Sequence, residues 1–108
     1  MRLLLTLDDI EKALKKLPGW RREGTELVKT YRFADYMSGI DFVNLLVKPA
    51  EEMNHHPDLH IGWRKVMVRL TTHSEGGITS LDVELALQAE SLNKKIGTAA
   101  ESKPDAEA

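Results

Sequence analysis

Apolar residues recur at helical spacing in three separate stretches of this chain, and between these stretches they alternate at the two-residue spacing of β-strands. The first helical stretch follows Thr6-Leu7-Asp8-Asp9, which has the form of an N-terminal capping box, and Pro18-Gly19 ends it. Residues 20 to 22 and 27 to 33 then suit strands. Because Gly24 lies between these two runs, a hairpin is the simplest interpretation.

The second helical stretch begins near Asp35 or Ser38 and should reach about Asn54. Pro49 lies inside this stretch. It predicts a kink or a restart of the helix, because an interior proline removes one hydrogen bond and clashes with the preceding turn.

Extended chain and a third helix follow. Residues 59 to 72 alternate as a strand region does, with Gly62 marking a bulge or a turn. Thr79-Ser80-Leu81-Asp82 is a second capping box, and the apolar stripe of the helix that it opens ends before Gly97.

The order of elements is helix, two strands, helix, extended pair, helix, without alternating parallel-strand units. This order predicts an α+β fold in one domain over residues 1 to 96. Residues 97 to 108 lack apolar periodicity, and we predict a disordered tail there.

Composition excludes several classes of function. The chain has no cysteine, which removes disulfides, thiolate metal sites and cysteine nucleophiles. A net charge of −2 with mixed signs provides no broad basic surface, so we expect no direct contact with nucleic acid. No apolar run approaches the roughly 20 residues that span a membrane, and no secretory signal pattern opens the chain. We therefore expect a cytoplasmic protein that does not contact membranes.

Histidine clustering is the main clue to chemistry. All four histidines lie between His55 and His73, and an imidazole, with an unperturbed pKa of roughly 6.5, can both donate and accept protons near neutral pH. His55 and His56 directly precede Pro57, so they should lie at a helix end and project in different directions. His73 follows a strand with parity opposite to the core residues and should point away from the core. Together these side chains suggest proton transfer.

Each signal also has a plain structural explanation. His55 alone could stabilise the C-terminal dipole of a helix, and His60 could be a solvated loop residue. Trp63 could pack in the core or at an interface. Asp82 occupies the third position of a capping box, and Glu51 could be an ordinary surface charge.

A metal site is the sharper alternative, because His56 and His60 have the separation of a helical chelate. Pro57 and the extended chain after it prevent the two residues from sharing one helical face. The sequence contains neither an HExxH pattern nor a cysteine pair. We therefore predict that the site holds no metal.

Taken together, a set of polar and aromatic residues resembles the signature of the pterin-4a-carbinolamine dehydratase family in residue type and spacing: Glu51, His55-His56-Pro57, Trp63, His73 and Asp82. The resemblance extends from about Leu7 to Ile96. It implies a four-stranded antiparallel sheet with three helices on one face, assembled as a homodimer or homotetramer without a cofactor. The implied substrate is a 4a-hydroxytetrahydropterin, left when a pterin-dependent aromatic hydroxylase has used its cofactor. The implied products are quinonoid dihydropterin and water. The resemblance therefore implies a hydro-lyase that acts in the biosynthesis and recycling of tetrahydrobiopterin.

The same resemblance assigns residue roles. It implies that His55, His56 and His73 act as the acid and the base of the reaction. Which of them is the acid and which the base stays open. Thr72, Ser74 and Glu75 would line the pterin site, together with Pro57 and Trp63. Glu51 and Asp82 would orient histidines or bind polar pterin edges.

Two positions depart from the family pattern. Asn54 stands where some relatives carry an acidic residue, and Pro49 interrupts the helix that delivers the histidine pair. The main alternative function is a binding or assembly role, because some proteins of this kind are transcription-factor dimerisation partners or Rubisco assembly factors.

Overall fold

A computed structural model describes the backbone of residues 3 to 101 and the side chains of residues 3 to 96. In chain order the elements are α1 (Leu7–Leu14), β1 (Arg21–Glu23), β2 (Glu26–Arg32), α2 (Tyr36–Met53), β3 (Asp58–Ile61), β4 (Lys65–Leu70), a short 3-10 helix (His73–Glu75) and α3 (Ser80–Glu101). The predicted α+β fold is confirmed. Within the described part, no helix is both long and apolar enough to cross a membrane.

The four strands form one antiparallel sheet in the order β1-β2-β4-β3. Gly24, with φ of 60°, lies between β1 and β2, so the predicted hairpin is confirmed. The N–H of Gly62 donates to the carbonyl of Lys65 at 2.8 Å, which closes a second hairpin between β3 and β4. The predicted turn at Gly62 is therefore also confirmed.

One face of the sheet carries the core. Val66, Val68 and Leu70 of β4 are fully buried, whereas Met67 and Arg69 between them remain partly exposed on the open face. Helices α2 and α3 pack against each other and against the apolar face, and they contribute further buried residues: Phe42, Leu46, Ala50, Leu85, Ala86 and Ala89. This alternation follows from the two-residue period of a strand with one covered face.

Helix α2 passes through Pro49 without interruption, so the predicted restart does not occur. The adjacent Ala50 and the earlier Leu46 are buried against the sheet. The packing of this face offsets the stability lost with the backbone hydrogen bond that proline cannot make. Most helical stability in proteins comes from such tertiary contacts.

Helix α3 is longer than the sequence predicts. Its backbone continues through Gly97 to Glu101. A glycine costs about 1 kcal/mol in a helix, and the two alanines that follow favour continuation. The rest of the predicted tail, residues 102 to 108, lies outside the described residues.

A partly buried carboxylate, that of Glu90, fastens α3 to the sheet. Oε2 of Glu90 accepts hydrogen bonds from the Trp20 indole at 3.1 Å, from the Lys29 ammonium at 2.6 Å and from the Tyr31 hydroxyl. Lys29 also donates to the carbonyl of Pro18 at 2.7 Å, which ties in the loop after α1. Burial, assisted by the hydrogen bond to Glu90, raises the pKa of the Tyr31 phenol far above its ordinary range.

Candidate functional site

The end of α2 separates the two adjacent histidines. Asn54 adopts a left-handed conformation, with φ of 49° and ψ of 45°. Its N–H donates to the carbonyl of Glu51 at 3.1 Å, while the N–H of His55 donates to that of Ala50 at 3.0 Å, which is a Schellman ending. The chain reverses here, so His55 is 8% exposed and His56 is exposed. Asparagine tolerates this conformation better than most residues, which explains its presence at this position.

His55 is paired with a carboxylate inside the protein. Its Nε2 lies 2.6 Å from Oδ1 of Asp82, and Asp82 is fully buried at the beginning of α3. Asp82 also accepts from the backbone N–H of Thr79 at 2.8 Å, so the predicted capping interaction is present. The positive end of the α3 dipole favours negative charge on this carboxylate.

A threonine hydroxyl completes the hydrogen bonds of Asp82. Thr72 donates its hydroxyl to Oδ2 of Asp82 at 2.8 Å. The hydroxyl of Thr79 lies 2.8 Å from that of Thr72 and accepts from the Leu81 N–H at 3.2 Å. Because the proton of Thr72 is already committed to Asp82, Thr79 must donate to Thr72.

This arrangement determines which nitrogen of His55 can react. As a carboxylate, Asp82 can only accept hydrogen bonds, and its Oδ2 already accepts from the Thr72 hydroxyl and the Thr79 N–H. His55 must therefore donate through Nε2. Its Nδ1 remains as the atom that can accept or release a proton.

His56 has a carboxylate partner of its own at the surface. Its Nε2 lies 2.6 Å from Oε2 of Glu51, and both side chains are more than half exposed. Glu51, His56 and Pro57 line a groove of about 170 Å³, whose remaining walls are apolar: Leu46, Val47, Ala50 and Leu59. The groove lies between α2 and β3.

His73 begins the 3-10 helix and is exposed. The predicted orientation away from the core is confirmed. Thr72, directly before it, forms a bridge with Gly77, in which the Thr72 N–H donates to the Gly77 carbonyl at 2.8 Å. Ser74 is exposed and Glu75 is half-buried in the same loop. Because Thr72 is bonded to Asp82, and Asp82 to His55, this loop and the end of α2 belong to one network.

Trp63 lies away from His55, His56 and His73 of its own chain. It is in the turn between β3 and β4, 50% exposed, with the Arg64 guanidinium 5.5 Å from its ring. His56 and Pro57 precede β3, whose four residues span about 13 Å at the usual rise of a strand. Trp63 follows the opposite end of that strand. Within one chain, the indole of Trp63 therefore does not lie beside the imidazoles of His55 and His56.

The interpretation of His60 as a loop residue is wrong. It lies in β3, opposite Met67, and its exposed side chain is on the open face of the sheet. Among the described side chains, residues 3 to 96, no group of three or more His, Cys, Asp or Glu is placed to hold a metal ion.

The sequence indicated most of these residues but not their contacts. The hydroxyl of Thr79 was not singled out, although the capping box that contains it was recognised. Thr72 was expected to line the pterin site, yet it is 5% exposed and its hydroxyl is committed to Asp82 and Thr79. Only the tertiary structure brings these two side chains together.

Comparison with known proteins identifies the family. The family model described as Pterin 4 alpha carbinolamine dehydratase matches residues 4–92. A relative from Thermosynechococcus vestitus, named for pterin-4-alpha-carbinolamine dehydratase, is 54% identical over 78 residues, which cover 72% of this chain and 82% of that protein. A relative of the same name from Metallosphaera sedula is 46% identical over 92 residues, covering 85% and 96%.

Two solved structures are similar to this fold. A transcriptional coactivator/pterin dehydratase from Brucella melitensis matches with a TM-score of 0.80 and 30% identity, covering 82% of this chain and 97% of the other. A pterin dehydratase-like protein, described as a RuBisCO assembly factor in the alpha-carboxysome, matches with a TM-score of 0.59 and 25% identity, covering 68% and 88%. Sequence and structure agree that this chain belongs to the pterin-4a-carbinolamine dehydratase family.

Proposed function

We propose that the protein dehydrates a 4a-hydroxytetrahydropterin to quinonoid dihydropterin and water. The observation that carries this proposal is the buried pair of His55 and Asp82, 2.6 Å apart, beside a second imidazole that has its own carboxylate. In the reaction the C4a hydroxyl leaves with one added proton as water, and a ring nitrogen loses one proton as the new double bond forms. One acid and one base suffice, and the protons balance without a redox step.

The three imidazoles suit these tasks. Asp82 holds His55 through Nε2, so Nδ1 exchanges the proton with the substrate. His56 and His73 are exposed, so either can make the second proton transfer as acid or base, and both can exchange protons with solvent between turnovers. Glu51 orients His56 at one wall of the groove. Ser74 and Glu75 flank His73 and offer polar contacts to the pterin edge.

The proposal is tested by stopped-flow absorbance on chemically generated 4a-hydroxytetrahydropterin, with spontaneous dehydration as the baseline. We expect the wild type to accelerate the reaction and His73→Ala to lose about 10²-fold or more of that acceleration, the usual contribution of a general acid or base. His60→Ala is the matched control, because its side chain is exposed on the open face of the sheet. A wild-type rate equal to the baseline would contradict the proposal.

A second function has one specific observation in its favour, the likeness to a protein described as a RuBisCO assembly factor. The presence of all three histidines, two of them paired with carboxylates, supports the enzyme instead. If the folded wild type gave no acceleration, we would adopt the binding role. We also propose that the working form is a homo-oligomer, as in other members of the family.

A substitution at Thr72 tests whether the hydrogen bonds to Asp82 affect the reaction rate. Thr72→Val removes one donor from the carboxylate but keeps the shape of the side chain. We expect kcat to fall about 3-fold to 10-fold, the usual effect of one hydrogen bond, with KM nearly unchanged. The matched control is Thr71→Val, because Thr71 donates to the carbonyl of Thr25 at 2.7 Å, outside this network. Equal effects of the two substitutions would show that Thr72 is only structural.

A further inference from the structure

We propose that the open face of the sheet binds a small organic phosphate, in a pocket at the end of the sheet where β2 finishes and β4 begins. The pocket has a volume of about 400 Å³ and is lined by residues of β2, β3 and β4 and of the turn at Gly62. It lies on the face opposite the helices, apart from the pair of His55 and Asp82. The inference therefore does not depend on the proposed function.

The charged and titratable side chains of the pocket are all basic. Arg32 of β2 and Lys65 of β4 are directly opposite each other in the antiparallel ladder. His60 is opposite Met67, so it is the diagonal neighbour of Lys65 on the same face. Side chains at such positions are about 5 to 8 Å apart. Of the described residues that line the pocket, none is acidic, so the three basic groups meet no carboxylate there.

The position of Lys65 is costly without a bound anion, because like charges directly opposite each other destabilise a sheet. Within the described part of the chain, the ammonium of Lys65 makes no ion pair. The stem of this side chain lies against the turn, since a Cβ added at Gly62 would be 3.1 Å from Cγ of Lys65. This contact limits the conformations of Lys65, so less entropy is lost when the ammonium holds a ligand.

The opposite end of the same face shows how this sheet normally offsets its charges. There the Arg69 guanidinium lies 2.8 Å from Glu26 and 3.2 Å from Glu23, and Glu23 also pairs with Arg21. Lys65 and Arg69 are four positions apart along β4, which is about 13 Å at the usual rise of a strand. This separation exceeds the Debye length of about 8 Å at physiological ionic strength. The carboxylates around Arg69 therefore do little to offset the charge of the pocket.

Asp35, the acidic residue nearest to Arg32 along the chain, has a role at the beginning of α2. Its Oδ1 accepts from the N–H of Ser38 at 2.8 Å, which caps the helix. Asp35 is not among the residues that line the pocket. An anion in the pocket would therefore meet basic groups without displacing this cap.

A phosphate group fits these surroundings better than a single carboxylate does. It carries about −1.5 to −2 charges near neutral pH and three acceptor oxygens, whereas a carboxylate has one charge and two oxygens. The guanidinium of Arg32 presents a fork of donors that matches phosphate, and Lys65 adds a point charge. The hydroxyl of Thr30 is a further donor in the lining.

The size and the remaining wall of the pocket favour an organic phosphate over the bare ion. A volume of about 400 Å³ lies within the range of roughly 300 to 1,000 Å³ of small-molecule sites. Met67 is half-buried in the lining and supplies an apolar contact. The phosphate group would lie between Arg32 and Lys65, and the carbon skeleton would extend over Met67 toward His60.

Amide NMR titration tests the site with ribose 5-phosphate, ribose and inorganic phosphate as probes, in about 0.15 M KCl to screen isolated surface charges. We expect ribose 5-phosphate to shift the amide signals of Arg32, Gly62 and Lys65 saturably, inorganic phosphate to do so more weakly, and ribose not to do so. Absence of a saturable shift at these residues would overturn the proposal. Equal affinity for inorganic phosphate and the ester would overturn the choice of an organic ligand.

Substitutions identify the groups that hold the phosphate. Lys65→Gln and Arg32→Gln should each weaken binding of ribose 5-phosphate about 10-fold, the usual effect of losing one charged hydrogen-bond donor. Lys48→Gln is the matched control, because Lys48 is exposed on α2 and its loss removes the same charge. Its affinity should equal that of the wild type. If the affinities of Lys65→Gln and Arg32→Gln also equalled it, with native amide spectra, the pocket would not be a phosphate site.

Discussion

Asp82→Asn is expected to reduce kcat for pterin dehydration by about 10²-fold to 10⁴-fold while leaving the fold intact. The amide has the same shape as the carboxylate, and its oxygen can still accept from the Thr72 hydroxyl and the Thr79 N–H. Its NH₂ group then faces Nε2 of His55. Because that group is a donor, His55 must accept at Nε2 and carry its proton on Nδ1.

The substitution therefore exchanges the two nitrogens of His55, and the reactive nitrogen loses its lone pair. Nitrogen-15 NMR of the imidazole distinguishes the two tautomers, and stopped-flow absorbance gives kcat on the same samples. We expect the Nε2–H form in the wild type and the Nδ1–H form in Asp82→Asn. An unchanged tautomer together with an unchanged kcat would show that Asp82 serves only as a helix cap.

The dependence of His55 on Asp82 illustrates what the sequence could and could not predict. Periodicity, capping boxes and glycine positions predicted the helices, the first hairpin and the α+β fold, because each of these signals is local. His55 and Asp82 are 27 positions apart, and their contact depends on how α2 and α3 pack. A sequence signature can name both residues, but it does not show which atom of one meets which atom of the other.

Asn54 and Trp63 show the same limit in different ways. Asn54 was predicted as the approximate end of α2 and noted as a departure from the family pattern, whereas the structure shows a left-handed residue that turns His55 inward. Trp63 belongs to the signature by spacing, yet it lies beyond the far end of β3 from the histidines of its chain. Spacing along the chain therefore does not show whether Trp63 lies near the histidines of the same chain.

Glu90 was not singled out from the sequence at all, because a charged residue on an amphipathic helix usually faces solvent. Its side chain is 13% exposed, and that of its ionic partner Lys29 is 16% exposed. Trp20 and Tyr31 donate to the same oxygen. The contacts of Glu90 with these three side chains thus connect α3 to β2 and to the end of the loop before β1.

Glu90→Gln is expected to lower the free energy of unfolding by about 3 kcal/mol or more, because it leaves the Lys29 ammonium without its counter-charge. The measurement is urea unfolding at a fixed protein concentration, since an oligomer's apparent stability depends on concentration. Glu84→Gln is the matched control: Glu84 is an exposed residue of the same helix, and its loss should cost within about 0.5 kcal/mol.

A second substitution identifies the cause of the loss. Lys29→Met in the Glu90→Gln background removes the unpaired charge and keeps most of the side-chain volume, so part of the lost stability should return. If the double variant were no more stable than Glu90→Gln, the loss would instead come from the hydrogen bonds of Trp20 and Tyr31. If Glu90→Gln were as stable as Glu84→Gln, the carboxylate would not hold α3 to the sheet.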